Sequence, residues 1–232
     1  MTVTRTTVYA TTSAVALPKQ PSAPAGEACP GRPVPTVRDL RERAGHSPHG
    51  LLFGPRDLVV VTGLPGSGKS TLMRRAVAGD GVRVDSQDTR DRWETRISRG
   101  PGLSGLLPYA VYRPLVRLAH YAGLHRALRS ASGAVVHDCG TQTWVRGWLA
   151  RAAGRRGGAL HLVFLDVSPD TALGGQRERG RGVSRYAFLR HRRAAARLLR
   201  SVERGDLPRG VDSAVLLDRD AADVLRRIDF AD

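Results

Sequence analysis

The 232-residue chain holds only two cysteines, Cys29 and Cys139, and only two lysines, Lys19 and Lys69. Two distant cysteines cannot build a disulfide scaffold, and they lack zinc-ligand spacing. They fit a reducing, cytoplasmic compartment. Acidic residues are few, 21 against 37 basic, and the net charge of +16 excludes an acidic solvating chain. No apolar run approaches the ~18–20 residues that span a bilayer, and no internal repeat is visible. What is present is a 41% hydrophobic fraction, which argues against full disorder. The length suits one domain plus an extension. With two lysines among 37 basic residues, 35 are arginines. Such a surface attracts polyanions, but composition alone favours the simpler reading, an arginine-biased composition spread over solvated faces.

Residues 1–35 read as a disordered leader, rich in threonine and then in proline, which removes backbone donors and favours extended chain. Ala14-Val15-Ala16 resembles an export cleavage site, but threonines interrupt the apolar stretch that would have to precede it. Residues 36–56 are expected to form a short helix and a linker, with Thr36 as N-cap, Asp39 three residues on and Gly45 closing it. The folded domain is expected over 57–232. Strands are predicted at 57–62, 82–84, 133–137, 160–165 and 214–217. Helices are predicted at 70–78, 88–98, 114–130, 144–156, from Pro169, at 186–204 and at 221–228. This alternation predicts an α/β fold with a five-stranded parallel sheet and helices on both faces. Ligands of such sheets bind beyond the carboxyl ends of the strands. Asp85, Asp138, Asp166 and Asp218 each follow a predicted strand and are expected to gather there.

The strongest signal follows the first of these strands. Gly63-Leu64-Pro65-Gly66-Ser67-Gly68-Lys69-Ser70, with Thr71 behind it, satisfies G-x-x-x-x-G-K-[ST] between a strand and a helix. The glycines permit a loop whose N–H groups converge on phosphate oxygens. The helix start adds its positive end to the same place. Lys69 is the lysine that reaches the β- and γ-phosphates, and Ser70 offers its hydroxyl to Mg²⁺. ATP with Mg²⁺ is the expected ligand.

Two further elements narrow the chemistry. Asp85-Ser86-Gln87-Asp88-Thr89-Arg90 follows the second strand directly. A carboxylate there can accept the proton of a substrate hydroxyl, and Arg90 can hold an anionic group; equally, Asp85 or Ser86 can cap the helix that follows. Arginines 177, 179, 181 and 185 sit among glycines and read as a mobile lid over a transferring phosphoryl group, or as a solvated basic loop. Residues 92–130 interleave aromatics with arginines, Tyr112 and Arg113 among them. These either stack and hold an acceptor or pack the core. His120 and His125, five apart, share no helix face that would bind a metal. Cys139 reads as a small buried residue, and Trp144 and Trp148 as packing between helix and sheet.

The loop, the Asp85–Arg90 element and the arginine segment together resemble the small P-loop kinases: the adenylate, shikimate and gluconate kinases and the zeta-toxin and polynucleotide-kinase branch. The resemblance covers about residues 57–229; the loop is specific to P-loop proteins, and the other two motifs are looser. It implies γ-phosphoryl transfer from ATP to the hydroxyl of a small molecule or nucleotide. Under it, Lys69 and Ser70 match the loop lysine and the Mg²⁺ hydroxyl. Arg90 matches the acceptor-side arginine, Arg177 and Arg181 the lid arginines, and Asp138 a metal-water-binding aspartate. One departure stands out: Gln87 occupies the position of the polynucleotide-kinase base. Asp85, which ends the strand, is favoured for that role, with Asp88 behind it. A nucleic-acid 5′-hydroxyl kinase or processing enzyme and an ATP-dependent switch or regulatory ATPase without acceptor transfer are the competing readings. No membrane partner is expected.

Overall fold

The computed structural model describes residues 36–43, 46–77, 82–99, 109–129, 132–137, 143–178 and 183–231. In chain order these form β1 (Thr36–Asp39), β2 (Gly50–Phe53), β3 (Leu58–Gly63), α1 (Lys69–Ala76), β4 (Val82–Val84), α2 (Ser86–Arg99), α3 (Tyr109–Ala127), β5 (Ala134–His137), α4 (Thr143–Arg155), β6 (Leu160–Leu165), α5 (Pro169–Arg177), α6 (Arg185–Glu203), β7 (Ser213–Leu217), α7 (Arg219–Val224) and β8 (Arg227–Phe230).

β3 is the centre of the molecule, and all six of its residues are buried. A strand covered on both faces needs apolar side chains at every position rather than at alternate ones. Leu58 and Val60 pack into a cluster with Leu124 of α3, Leu149 of α4 and Leu198 of α6. Val59 and Val61 point the other way, toward Leu72 and Met73 of α1, Ala221 of α7, Leu51 of β2 and Ile228 of β8. The main sheet runs β1-β7-β6-β3-β5-β4 and every pairing in it is parallel. Parallel pairing turns all the strands' carboxyl ends to one edge. The register pairs Val61 with His137 and Gly63 with Leu165. Helix α3 starts five residues before the predicted Pro114, which lies in its second turn, whereas α5 and α6 start where their sequences signal. Ser168 accepts from Thr171 N–H at 3.1 Å ahead of Pro169, and Ser184 accepts from Ala187 N–H at 3.3 Å.

All five predicted strands are present, but the described sheet has a sixth. Thr36–Asp39 is not a helix; it is strand β1, with Thr36 opposite Ser213 on β7. Locally it reads as a capping box, and a remote partner decides its conformation. The predicted closing helix over 221–228 ends early, at Val224. The N–H groups of Arg226 and Arg227 both go to His49 O, at 2.7 and 3.0 Å, and draw the chain into β8 beside β2. Trp144 does not pack on the sheet: it is 57% exposed, with its ring 5.4 Å from that of Tyr121. Trp148 does pack against the core. Among the described residues no helix is long and apolar enough to cross a membrane.

The amino ends of three strands are tied by one carboxylate. Asp57 Oδ1 accepts from Ala159 N–H at 2.7 Å, and Oδ2 accepts from Gly54 N–H at 2.7 Å. Oδ2 also lies 2.8 Å from His161 Nε2, whose Nδ1 is 2.7 Å from Ser213 Oγ. Burial alone would raise the Asp57 pKa, but the bonds from His161, Ala159 and Gly54 reverse this and hold it below the ordinary value. Replacing Asp57 with alanine strands two backbone donors and the imidazole together. We expect Asp57→Ala to lower unfolding stability by about 2–4 kcal/mol, read from the denaturant midpoint at pH 7.

Candidate active site

The phosphate loop turns back from the carboxyl end of β3 through three glycines with positive φ: Gly63 at 140°, Gly66 at 92° and Gly68 at 100°. L side chains rarely adopt such angles. Space forbids them too. A Cβ on Gly63 would overlap the Leu165 carbonyl oxygen, and one on Gly66 the Ala172 carbonyl oxygen. In this conformation successive N–H groups can converge on one anion. Beyond the loop, the first-turn N–H groups of α1 have no acceptor within the helix. Lys69, 4% exposed, lies along the loop, its Nζ donating to Gly63 O at 3.1 Å, Leu64 O at 2.6 Å and Ser67 Oγ at 3.3 Å. The ammonium is therefore already held beside the loop it serves. Ser67 and Ser70 are buried there, and Thr71 is exposed. This donor set, with one compact cation and one hydroxyl at the helix start, fits a nucleoside triphosphate and its Mg²⁺.

Helix α5 is pressed against the back of the loop, since a Cβ on Gly175 would overlap Gly66 O. Gln176, 7% exposed, fastens this contact. Its Nε2 donates to Pro65 O at 2.9 Å and its Oε1 accepts from Val183 N–H at 2.9 Å. Arg177 is exposed at the end of α5, while Arg179 and Arg181 lie outside the described residues. Gln176 thus joins the loop to both flanks of the arginine segment, a role with no motif to announce it. The guanidinium of Arg219 was also missed in the sequence. Its Nη1 lies 3.1 Å from where a Cβ on Gly68 would stand. The available signal was its place just after the last strand of the main sheet, at the ligand edge.

Two strand spacings away, about 10 Å, is Asp85, just past β4. It is 3% exposed, and its Oδ1 lies 2.8 Å from His137 Nδ1 on β5. An ionised carboxylate only accepts, so with Asp85 ionised Nδ1 carries the proton. Ser86 Oγ, 3.0 Å from the same nitrogen, then accepts it as well. Asp88 is placed differently: Arg83 Nη2 donates to its Oδ2 at 2.8 Å in a half-buried ion pair. Arg90 is half-buried on α2. Tyr112 and Arg113 are on the first turns of α3, with side chains outside the described set, as is Asp138.

The three described aspartates, Asp85, Asp166 and Asp218, each directly follow a strand at that one edge, but they are spread along it and engage separate partners. Asp166 is 2.8 Å from Arg41 Nη1, which also holds Glu203 at 2.8 Å, while Arg41 Nη2 holds Asp39 at 2.7 Å. Asp218 caps α7 through Ala221 N–H at 2.8 Å and accepts Glu42 N–H at 2.7 Å. The segment after β1 thus engages both. Among the described residues no group of three or more His, Cys, Asp or Glu could hold a metal.

Residues 58–204, more than half of the chain, match the family model described as AAA domain. The chain belongs to that family, and its phosphate loop marks it as a nucleotide-binding protein of P-loop architecture. No curated protein matches the sequence. Among solved structures it is similar to one from work on the PezAT chromosomal toxin-antitoxin system of Streptococcus pneumoniae. The identity is 14% and the TM-score 0.51, over 74% of this chain and 77% of that one. It is also similar to a gluconokinase from Sinorhizobium meliloti 1021, at 22% identity and TM-score 0.41, over 75% and 89%. A sugar kinase from Janibacter sp. HTCC2649 matches at 16% and 0.35, over 71% and 86%. The first likeness shows the P-loop fold.

Two outcomes are expected at this edge. A glutamate at 176 turns a donor into an acceptor facing Pro65 O, so Gln176→Glu should weaken ATP-analogue binding about tenfold or more by titration calorimetry. His120, on α3, is pushed down to about 4 from its ordinary 6.5, chiefly by burial and secondarily by His137, against a smaller raising effect of Asp85. Between those values the unfolded chain binds a proton that the folded chain does not. Stability should therefore fall as pH drops from about 6.5 to about 4, by up to about 3 kcal/mol. His120→Gln should remove that loss in denaturation midpoints followed against pH.

Proposed function

We propose that this protein is an ATP-dependent phosphotransferase that moves the γ-phosphoryl group of ATP to a hydroxyl of a small molecule or nucleotide. The observation carrying this reading is the pairing of two ends of one site. At one end is a phosphate loop with its lysine already seated. At the other, across β5, is a buried carboxylate held by a histidine.

In this reading the loop N–H groups and Lys69 hold the β- and γ-phosphates, with Arg219 flanking them. Ser70 and Asp138 hold Mg²⁺, which screens phosphate charge when bound. Asp85 takes the proton of the acceptor hydroxyl as its oxygen bonds to the γ-phosphorus and the bond to the β–γ bridging oxygen breaks. His137 is the positioning residue that keeps the Asp85 carboxylate oriented, through the Nδ1–H bond. The Asp88 carboxylate is engaged by Arg83, which supports Asp85 as the base. Arg90, Tyr112 and Arg113 are assigned to the acceptor, and Arg177 and Arg181 to the charge that develops on the transferred group.

The test is transfer of ³²P from ATP to a library of hydroxyl acceptors. Asp85→Asn should lower kcat by at least about a hundredfold with ATP-analogue binding unchanged, and Asp88→Asn by less than about tenfold. His137→Asn, which keeps a donor near the Nδ1 position, should retain more activity than His137→Ala. Full transfer by Asp85→Asn would overturn the base assignment. ATP binding with no phosphorylated acceptor from any class would overturn the transferase reading.

A further inference from the structure

We propose that the exposed face of α6 is a docking surface for the phosphodiester backbone of nucleic acid, read by charge rather than by sequence. This does not rest on the transferase reading. The face is built by spacing. Arg190, Arg193, Arg197, Arg200 and Arg204 follow one another at steps of 3, 4, 3 and 4, the last at the helix C-cap. At 100° per residue all five fall within an arc of about 80°, in a row about 21 Å long. Every one is exposed. The residues that anchor the helix in the core, Phe188, Ala195, Leu198 and Val202, lie on the opposite side.

The row is not an ordinary solvated face, which mixes signs and places acids one turn from bases. α6 carries no acidic residue before Glu203, and Glu203 is drawn off by Arg41 at 2.8 Å. Among the described residues the side chains of Arg190, Arg193, Arg197 and Arg200 have no ion pair or hydrogen bond, while that of Arg204 pairs with Asp206 at 3.2 Å. Four successive like-charged neighbours disfavour the helix that displays them. A regular row of unneutralised cations, kept against that disadvantage, is complementary to a regular row of anions. A duplex offers one phosphate per about 3.4 Å of axis on each strand, so about six lie along this length. The net charge of +16 adds attraction at longer range. A lipid surface is the poorer fit, because helices that lie on membranes insert an apolar face, and the apolar face of α6 is already in the core.

The experiment is fluorescence anisotropy with a labelled 20-base-pair duplex of random sequence and with its single strand, from 50 to 200 mM KCl. The expected result is duplex or single-strand binding at 50 mM that falls with salt. The variant Arg190→Gln/Arg193→Gln/Arg197→Gln/Arg200→Gln should shrink the salt slope on the duplex by about 3 to 4 log units per log unit. A control of equal charge, Arg74→Gln/Arg126→Gln/Arg209→Gln/Arg226→Gln, removes exposed arginines from other surfaces. It should change the slope far less. The row variant should melt no lower than the parent chain, since it relieves like-charge neighbours, so a loss of binding reports the surface and not the fold. Three results would overturn the proposal: no binding at 50 mM, equal losses in both variants, or tighter binding to phosphatidylserine vesicles than to either nucleic acid.

Discussion

The site depends on a contact in which two backbones meet with no side chain between them. Gly66 of the phosphate loop lies against the Ala172 carbonyl, and Gly175 of α5 lies against the Gly66 carbonyl. Everything else at the ligand edge is referred to that contact. It fixes where the loop turns, hence where Lys69 can lie along it. It brings Gln176 within reach of Pro65, and through Gln176 it fixes the start of the chain that leads into α6. A methyl group at either glycine would force the helix and the loop apart, and buried backbone has little slack to absorb this.

The two sides of the site are built by different means. The loop side is held by backbone shape, which explains its dense glycine content and its recognisable spelling. The carboxylate side is held by side chains from separate strands. Asp85 follows β4 and His137 ends β5, and they meet only because those strands pair in parallel, Val84 opposite Val136. One residue of slip would turn His137 to the other face of the sheet.

This difference governs what could be read from the sequence. The five central strands were legible as short β-branched or leucine-rich runs, and the loop as a local pattern with a local cause. β1, β2 and β8 were not. Each is extended because of a neighbour more than a hundred positions away, which no local run of residues announces. Asp85 could be marked as a candidate because it follows a strand. Its tie to His137, the capture of Asp166 by Arg41 and the use of Asp218 as a cap could not, since each bond joins residues distant in sequence or competes with an equally reasonable local role. Gln176 and Arg219 carry no motif at all; only the closure of the fold gives them something to touch.

Strand β2 pairs with β8, Leu51 opposite Ile228, and β1 pairs with β7, Val37 opposite Ala214. During synthesis, residues 36–53 leave the ribosome long before either partner exists. For most of translation their backbone donors and acceptors have only water to bond, and Leu40, Leu51 and Phe53 have no finished core to enter. The segment carrying Arg41 can dock only after β6 and β7 are in place. The ligand edge is therefore completed in reverse: the residues made first among those described are seated last, by those made last. Such remote closure slows folding. It also means that a chain stopped short of β8 has its phosphate loop spelled out in full and no completed frame to hold it.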